Sequence, residues 1–332
     1  MNRLKVAVIG FGVMGQYHAA NYAALPGAEL VAAVDPDPLK RSVAEEEFGC
    51  RTYVDVRELL SNEEIGAVTV AAPTSQHFAV TRLLLEAGVH ALVEKPLAPS
   101  VEQAAELVRL SRANDVVLQV GHITRFYEAV RRLNSTVTDP FLIEARRMTT
   151  HTRIRDAGVI LDLMIHDIDI LLKLVPSAIA TVSVAGHSLD GNGFEDVAAA
   201  QIVFDNGCIA RLLASRVAYS VERTMSVMER DKSVTLDFSR DPHTEIAIQR
   251  PAPDDTGTVR VERFQVEEDN PLRRELSHFL ARINRAEAPV GTAEDDLRSL
   301  AVATRLLEHM RLTQLDELEN AFLQPGMPLP LK

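Results

Sequence analysis

The stretch Lys5-Val6-Ala7-Val8-Ile9-Gly10-Phe11-Gly12-Val13-Met14-Gly15 decides the fold. A short apolar strand pattern runs into glycines spaced G-x-G-x-x-G, and a helical spacing of apolar residues opens directly after them. In that context the first glycine permits a tight turn, and the second lets backbone N–H groups approach a pyrophosphate. The third lets strand and helix pack closely, and the helix N-terminus favours phosphate charge. Gly10, Phe11, Gly12, Val13, Met14 and Gly15 therefore form a candidate dinucleotide cradle. Asp35 stands 20 residues beyond Gly15, at the end of the next strand pattern, where a carboxylate accepts both ribose hydroxyls. A carboxylate repels a 2′-phosphate, and Pro36, Asp37 and Pro38 follow with no Arg, so NAD is expected in preference to NADP.

Working outward, strand patterns at 5–9, 29–35, 67–71, 90–93 and 116–120 alternate with helical patterns at 16–25, 38–48, 75–87 and 101–113. That alternation predicts an α/β, doubly wound parallel sheet covered on both faces. Past residue 122 the pattern changes. Helices at 127–134 and 158–174 flank a strand at 141–149, and β segments follow at 180–187, 195–204, 208–219, 224–229, 233–238, 245–249 and 260–265. Asp205-Asn206-Gly207 reads as a hairpin turn of type I′. Helices resume at 271–286 and 293–313. The reading is a dinucleotide-binding unit over 1–121, then an α+β unit over 122–332 built on a large, mostly antiparallel, open-faced sheet.

The chain has 332 residues and a net charge of −12, which disfavours nucleic acid and acidic membranes as partners. No uninterrupted apolar run is long enough to span a membrane, and the N-terminus lacks a signal-peptide pattern, so a cytoplasmic location is expected. Cys50 and Cys208 are isolated and read as core residues. Lys is scarce, 6 against 29 Arg, which makes each Lys at a strand end conspicuous.

One such residue is Lys95, in Val93-Glu94-Lys95-Pro96-Leu97 at the carboxyl edge of the expected sheet, where α/β folds bind ligands. A Lys there can hydrogen-bond a substrate hydroxyl and steady developing alkoxide charge; an exposed, solvated Lys is the alternative. Asp162 and His166 are four apart on an expected helix and so share a face. An imidazole beside a carboxylate is a base at neutral pH, whereas two ligands are too few for a metal site. Asp167 and Asp169 read as surface charges on the same helix.

The chain resembles the glucose-fructose oxidoreductase, inositol dehydrogenase and MocA family. The resemblance rests on the glycine motif, on Ala71-Ala72-Pro73-Thr74-Ser75-Gln76-His77, on the run 87–98 around Lys95, and on Asp162-Leu163-Met164-Ile165-His166-Asp167. It implies a Rossmann unit with Lys95, Asp162 and His166 meeting over the nicotinamide, and adds Pro73, Thr74, His77, Glu94 and Lys95 to the cofactor contacts. It also implies dimers or tetramers through the second sheet. The stretches 118–126 and 147–169 resemble the UDP-N-acetylglucosamine 3-dehydrogenase branch, although Thr124 and Tyr127 stand where that branch carries a carboxylate and Asn.

A UDP-sugar brings two negative charges to an acidic chain, so a local basic cluster should meet it. Residues 145–155 hold Arg146, Arg147, Arg153 and Arg155 with no acid. Strand alternation forbids Arg146 and Arg147 from both facing a pocket, which favours Arg153 and Arg155 as substrate contacts. His122 and Arg125, on the loop after the fifth strand pattern, are further candidates, and Tyr127 reads as packing. The expected activity is NAD-dependent oxidation of a sugar or nucleotide-sugar hydroxyl, at C3 of UDP-N-acetylglucosamine. An inositol or free-sugar dehydrogenase and a non-catalytic dinucleotide-binding regulator are the rivals.

Overall fold

A computed structural model describes residues 3–150, 157–189, 193–240, 243–252, 258–267 and 269–323, the last with side chains through 310. The first sheet comprises β1 (Leu4–Ile9), β2 (Ala28–Val34), β3 (Arg51–Tyr53), β4 (Ala67–Val70), β5 (His90–Glu94) and β6 (Leu118–Gly121). Its order is β3-β2-β1-β4-β5-β6 and every pairing is parallel. Helices α1 (Val13–Ala24), α2 (Pro38–Phe48), α3 (Val56–Asn62), α4 (Thr74–Glu86) and α5 (Val101–Ala113) make the crossovers. All four residues of β4 are buried, as a strand covered on both faces requires. Sequence patterning omits β3 and α3: β3 is a three-residue edge strand with no buried side chain, and only Val56 and Leu59 are buried on α3.

After α6 (Glu128–Thr136), β7 (Leu142–Met148) enters the second sheet and α7 (Ile165–Leu174) crosses over it. Strands β8 (Ile179–His187), β9 (Val197–Phe204), β10 (Ile209–Ser215), β11 (Glu222–Met228), β12 (Ser233–Arg240), β13 (His243–Pro251) and β14 (Val259–Glu267) complete it. The order is β14-β13-β12-β11-β7-β10-β9-β8, antiparallel except at β7–β10. Side chains alternate, so Ala210, Leu212 and Ala214 are buried with Ile168 and Leu306, while Ile209, Arg211, Ala199 and Gln201 lie on the open face. The β9–β10 turn is a hairpin, but not of type I′. Gly207 alone there has positive φ, +86°, and its N–H bonds Phe204 O at 2.9 Å, the three-residue form with a left-handed Gly.

The last helices, α8 (Pro271–Ile283) and α9 (Ala293–Leu323), return toward the first sheet. Leu272, Leu276, Phe279 and Leu280 of α8 complete a core with Val6, Phe11 and Tyr22, and Leu300 of α9 joins the core on the sheet's other side. The chain thus crosses back over the expected boundary near residue 121. Cys50 and Cys208 are buried and unbonded to each other. Among the described residues no helix is long and apolar enough to cross a membrane, and no group of three or more His, Cys, Asp or Glu could hold a metal.

Candidate active site

The glycine loop fits a pyrophosphate. Gly10 has φ +85°, and a Cβ there would lie 2.6 Å from backbone atoms of Ala71 and Ala72; a Cβ on Gly15 would lie 1.9 Å from Gly10 O. A Cβ on Gly12 would meet nothing within 4 Å, which leaves space in front of α1, and no side chain caps the first N–H groups of that helix. Phe11 is fully buried and packs edge-on against Phe48. Asp35 is buried too: Oδ2 accepts Phe11 N–H at 2.8 Å and Oδ1 accepts Asp37 N–H at 2.9 Å, so the carboxylate braces the loop. Lys40 Nζ stands 3.4 Å from Oδ2, and Arg41 donates to the carbonyls of Asp35 and Pro36. These two cations, the third and fourth residues of α2, are missed when only the residues directly after Asp35 are inspected.

The other expected cofactor residues divide. Pro73 and Thr74 begin α4 at the carboxyl edge of β4. His77 is buried, with Nδ1 2.8 Å from Pro96 O and Nε2 2.8 Å from Ala72 O, so it ties the Lys95 loop to the end of β4. Glu94 bonds His18 Nε2 at 2.8 Å; burial raises the carboxyl pKa, but the bond and charge of His18, with Lys95 and His77, leave it below the usual carboxylate range.

Lys95 leaves the end of β5 and reaches the first turn of the helix that becomes α7. That turn, Ile160–Met164, is a π-helix, a widened form common where a helix serves a site. Its start is held by Glu195, whose Oε1 accepts Ile160 N–H at 2.8 Å, while a Cβ on Gly158 would clash with the Glu195 carboxylate. Lys95 Nζ donates to Asp162 O at 2.7 Å and to Oδ1 at 2.8 Å. Lys95, Asp162 and His166 line one cavity of about 180 Å³. Burial holds the His166 imidazole well below its ordinary pKa, and the charges of Lys95 and Arg147 push the same way. The site therefore offers a neutral imidazole and an anchored ammonium on one wall.

Arg147 is a member of this site that sequence reading passed over in favour of Arg153 and Arg155, which lie outside the described residues. Its Nε and NH2 donate to Asp167 Oδ2 and Oδ1 at 3.0 and 2.6 Å. Arg146, one residue earlier, faces away and pairs with Glu222, as alternation requires. Arg223, from β11, also lines the cavity. Its nearness to Arg147 comes from strand pairing across 76 positions, for which no local motif exists. Asp167 and Asp169 are not surface charges: both are buried, as their arginine partners demand.

Arg125 and His122 do not line the Lys95 cavity. Arg125 bonds Asp169 through Nε at 2.8 Å and NH2 at 2.5 Å and reaches Asp296 at 2.7 Å. His122 is buried 3.8 Å from Asp296, its pKa pushed down to about 4 by burial. Burial raises Asp296 to about 6. These groups form an ionic knot joining α7 to α9. Thr124 and Tyr127 do line the cavity, and Tyr127 also packs edge-on against Phe238, so its packing role and a pocket position coincide.

Comparison with known proteins adds to this geometry. Residues 4–122 match the oxidoreductase family with an NAD-binding Rossmann fold, and residues 128–235 match the GFO/IDH/MocA C-terminal domain. The chain belongs to the Gfo/Idh/MocA family. It is 35% identical over 243 residues to UDP-N-acetylglucosamine 3-dehydrogenase of Acidithiobacillus ferrooxidans, covering 72% of this chain and 75% of that one. It is 28% identical over 336 residues to scyllo-inositol 2-dehydrogenase (NAD(+)) of Bacillus subtilis, covering 95% and 97%. Among solved structures, the A. ferrooxidans UDP-N-acetylglucosamine 3-dehydrogenase GnnA matches with a TM-score of 0.84 at 30% identity, over 93% of this chain and 98% of that one. GenD2 from gentamicin A biosynthesis, in complex with NAD, shares the fold at a TM-score of 0.81 and 21% identity, over 94% and 95%. As a Gfo/Idh/MocA oxidoreductase with an NAD-binding fold, the chain is a dehydrogenase acting on CH–OH groups.

Proposed function

We propose that this enzyme oxidises the 3-hydroxyl of UDP-N-acetylglucosamine to the ketone. The observation that carries the reading is the Lys95–Asp162 pair closing onto the cavity that His166 lines, at the carboxyl edge of the sheet bearing the glycine loop. NAD, when bound, supplies the hydride acceptor; the remaining work falls to side chains. His166, held neutral, accepts the hydroxyl proton. Lys95 has two hydrogens committed to Asp162, and its third holds the reacting oxygen and steadies its charge. Asp162 fixes Lys95 and does not itself need to meet the substrate. Gly10, Gly12, Gly15 and Asp35 hold the dinucleotide, and His77 keeps the Lys95 loop in place.

The identity to a UDP-N-acetylglucosamine 3-dehydrogenase favours that substrate over inositol. The test is NADH formation from NAD and UDP-N-acetylglucosamine over roughly pH 6 to 9, bracketing the imidazole range, with scyllo-inositol and free N-acetylglucosamine in parallel. Turnover of either neutral compound without turnover of the UDP-sugar overturns the substrate assignment. We also place a contact with a second copy of the chain on the open sheet face around Ile209 and Ala199, giving a dimer or tetramer. Sedimentation as a monomer at micromolar concentration rules this out.

A further inference from the structure

The cavity wall formed by β7 and β11 has an unusual charge arrangement. These strands run antiparallel with Arg147 directly opposite Arg223, and both side chains line the cavity. Like charges directly opposite on one face of a sheet repel each other, so a pair of this kind needs compensation. Arg147 has it in Asp167, which accepts both arms of its guanidinium fork. Arg223 does not. Among the described residues no carboxylate pairs with its guanidinium, and its Nε is buried without a hydrogen-bond partner. Glu222, the adjacent acid on β11, is taken up on the opposite face by Arg146.

Around the cavity, among the described residues, Lys95, Arg147 and Arg223 are three cations answered by two carboxylates, Asp162 and Asp167. His166 is held neutral and adds no charge. One positive charge is left over, on the residue with an unfilled donor. A guanidinium edge presents parallel N–H groups suited to two oxygens of one anion.

We infer that Arg223 receives an anionic group carried by the sugar substrate, with Arg147 locked behind it as a source of field rather than of hydrogen bonds. The inference rests on the sugar-dehydrogenase reading and deepens it: substrates must bear a phosphate or a carboxylate, and neutral polyols leave Arg223 unanswered. Either anion offers the same paired oxygens. The diphosphate of a nucleotide-sugar is the source that the proposed substrate supplies.

The test compares the full-length enzyme with Arg223→Gln and Arg223→Lys, each checked for an unchanged melting temperature and unchanged NAD binding. In steady-state assays with NAD, Arg223→Gln raises KM for UDP-N-acetylglucosamine about 10- to 100-fold, the size of a lost charge-assisted contact, and lowers kcat far less. Arg223→Lys recovers part of the loss. UDP and inorganic pyrophosphate inhibit the wild type and not Arg223→Gln. If a carboxylate-bearing N-acetylhexosamine shows the Arg223 dependence and the UDP compounds do not, the anion is the ring carboxylate and the inference stands with that source. Equal KM in wild type and Arg223→Gln for both the UDP-sugar and the carboxylate-bearing N-acetylhexosamine, with equal UDP inhibition, overturns the inference while leaving the dehydrogenase reading intact. If no sugar is oxidised, calorimetric titration with UDP and with the uronate still decides: binding lost in Arg223→Gln supports it, and equal binding or none overturns it.

Discussion

Lys95 is anchored twice by one residue: its Nζ donates to the Asp162 backbone oxygen at 2.7 Å and to the Asp162 carboxylate at 2.8 Å. The contact joins the end of the parallel sheet to the helix that carries His166. Half of the anchor is a main-chain atom, which no substitution at 162 removes.

Replacing Lys95 with Met therefore removes the donor outright and should lower kcat about 10²- to 10³-fold, the usual cost of losing one charge-stabilising donor, with NAD binding by fluorescence titration retained. Asp162→Ala should cost less, because the carbonyl oxygen still holds the ammonium. Stopped-flow NADH formation distinguishes the two, and a wild-type rate in Lys95→Met would exclude Lys95 from the chemistry.

His166 is kept unprotonated by burial and by the cations around it, so its pKa lies well below the ordinary 6.5. The acid limb of kcat should accordingly lie well to the acid side of the ~6.5 expected for a solvent-exposed His. His166→Asn should cost about 10²- to 10⁴-fold in kcat and abolish that limb. An unchanged limb in the variant would assign the titration to another group.

Beside the glycine loop, Asp35 stands next to two cations, Lys40 and Arg41. Asp35→Asn keeps the side-chain oxygen that braces Phe11 N–H and removes the charge that opposes a 2′-phosphate. The ratio of kcat/KM for NAD over NADP should drop by about tenfold or more, since one lost charge-assisted contact is worth at least about 1.4 kcal/mol. A ratio that does not move would mean that shape rather than charge selects the cofactor.

Most of the parallel sheet is legible in the sequence because its strands are short apolar runs ended by glycine or charge, and Lys95, Asp162 and His166 sit in local motifs. The edge strand Arg51–Tyr53 is not, since it buries nothing that patterning registers. Arg147 and Arg223 are illegible for a different reason. Each is one charged residue on a strand, and what makes them a pair is a register that brings residues 76 apart face to face. Asp167 is misread because its buried partner, Arg147, comes from a strand distant from its own helix.

His122 gives a stability test. Burial depresses its folded pKa to about 4, against about 6.5 in the unfolded chain. Between those values the unfolded chain holds a proton that the folded chain refuses, so this contribution is complete above about pH 6.5 and is lost as pH falls toward 4. At 1.36 kcal/mol per pH unit the loss approaches about 3 kcal/mol. Asp296, raised to about 6, acts oppositely, its contribution fading as pH rises through 6. The urea-midpoint advantage of wild type over His122→Asn should grow as pH rises from about 4.5 to 6.5. A difference between the two proteins that does not change with pH would show that His122 is not the group responsible.

The return of α8 onto the first sheet has a consequence for building hybrids within the family. A graft that exchanges only residues 1–122 parts Tyr22 and Phe11 from Leu276 and Phe279, leaving two half-cores that evolved against different surfaces. The transferable piece is discontinuous: the first six strands with their helices, plus Pro271–Ile283. Cofactor preference can be moved between relatives as a cassette only if that distant helix travels with it.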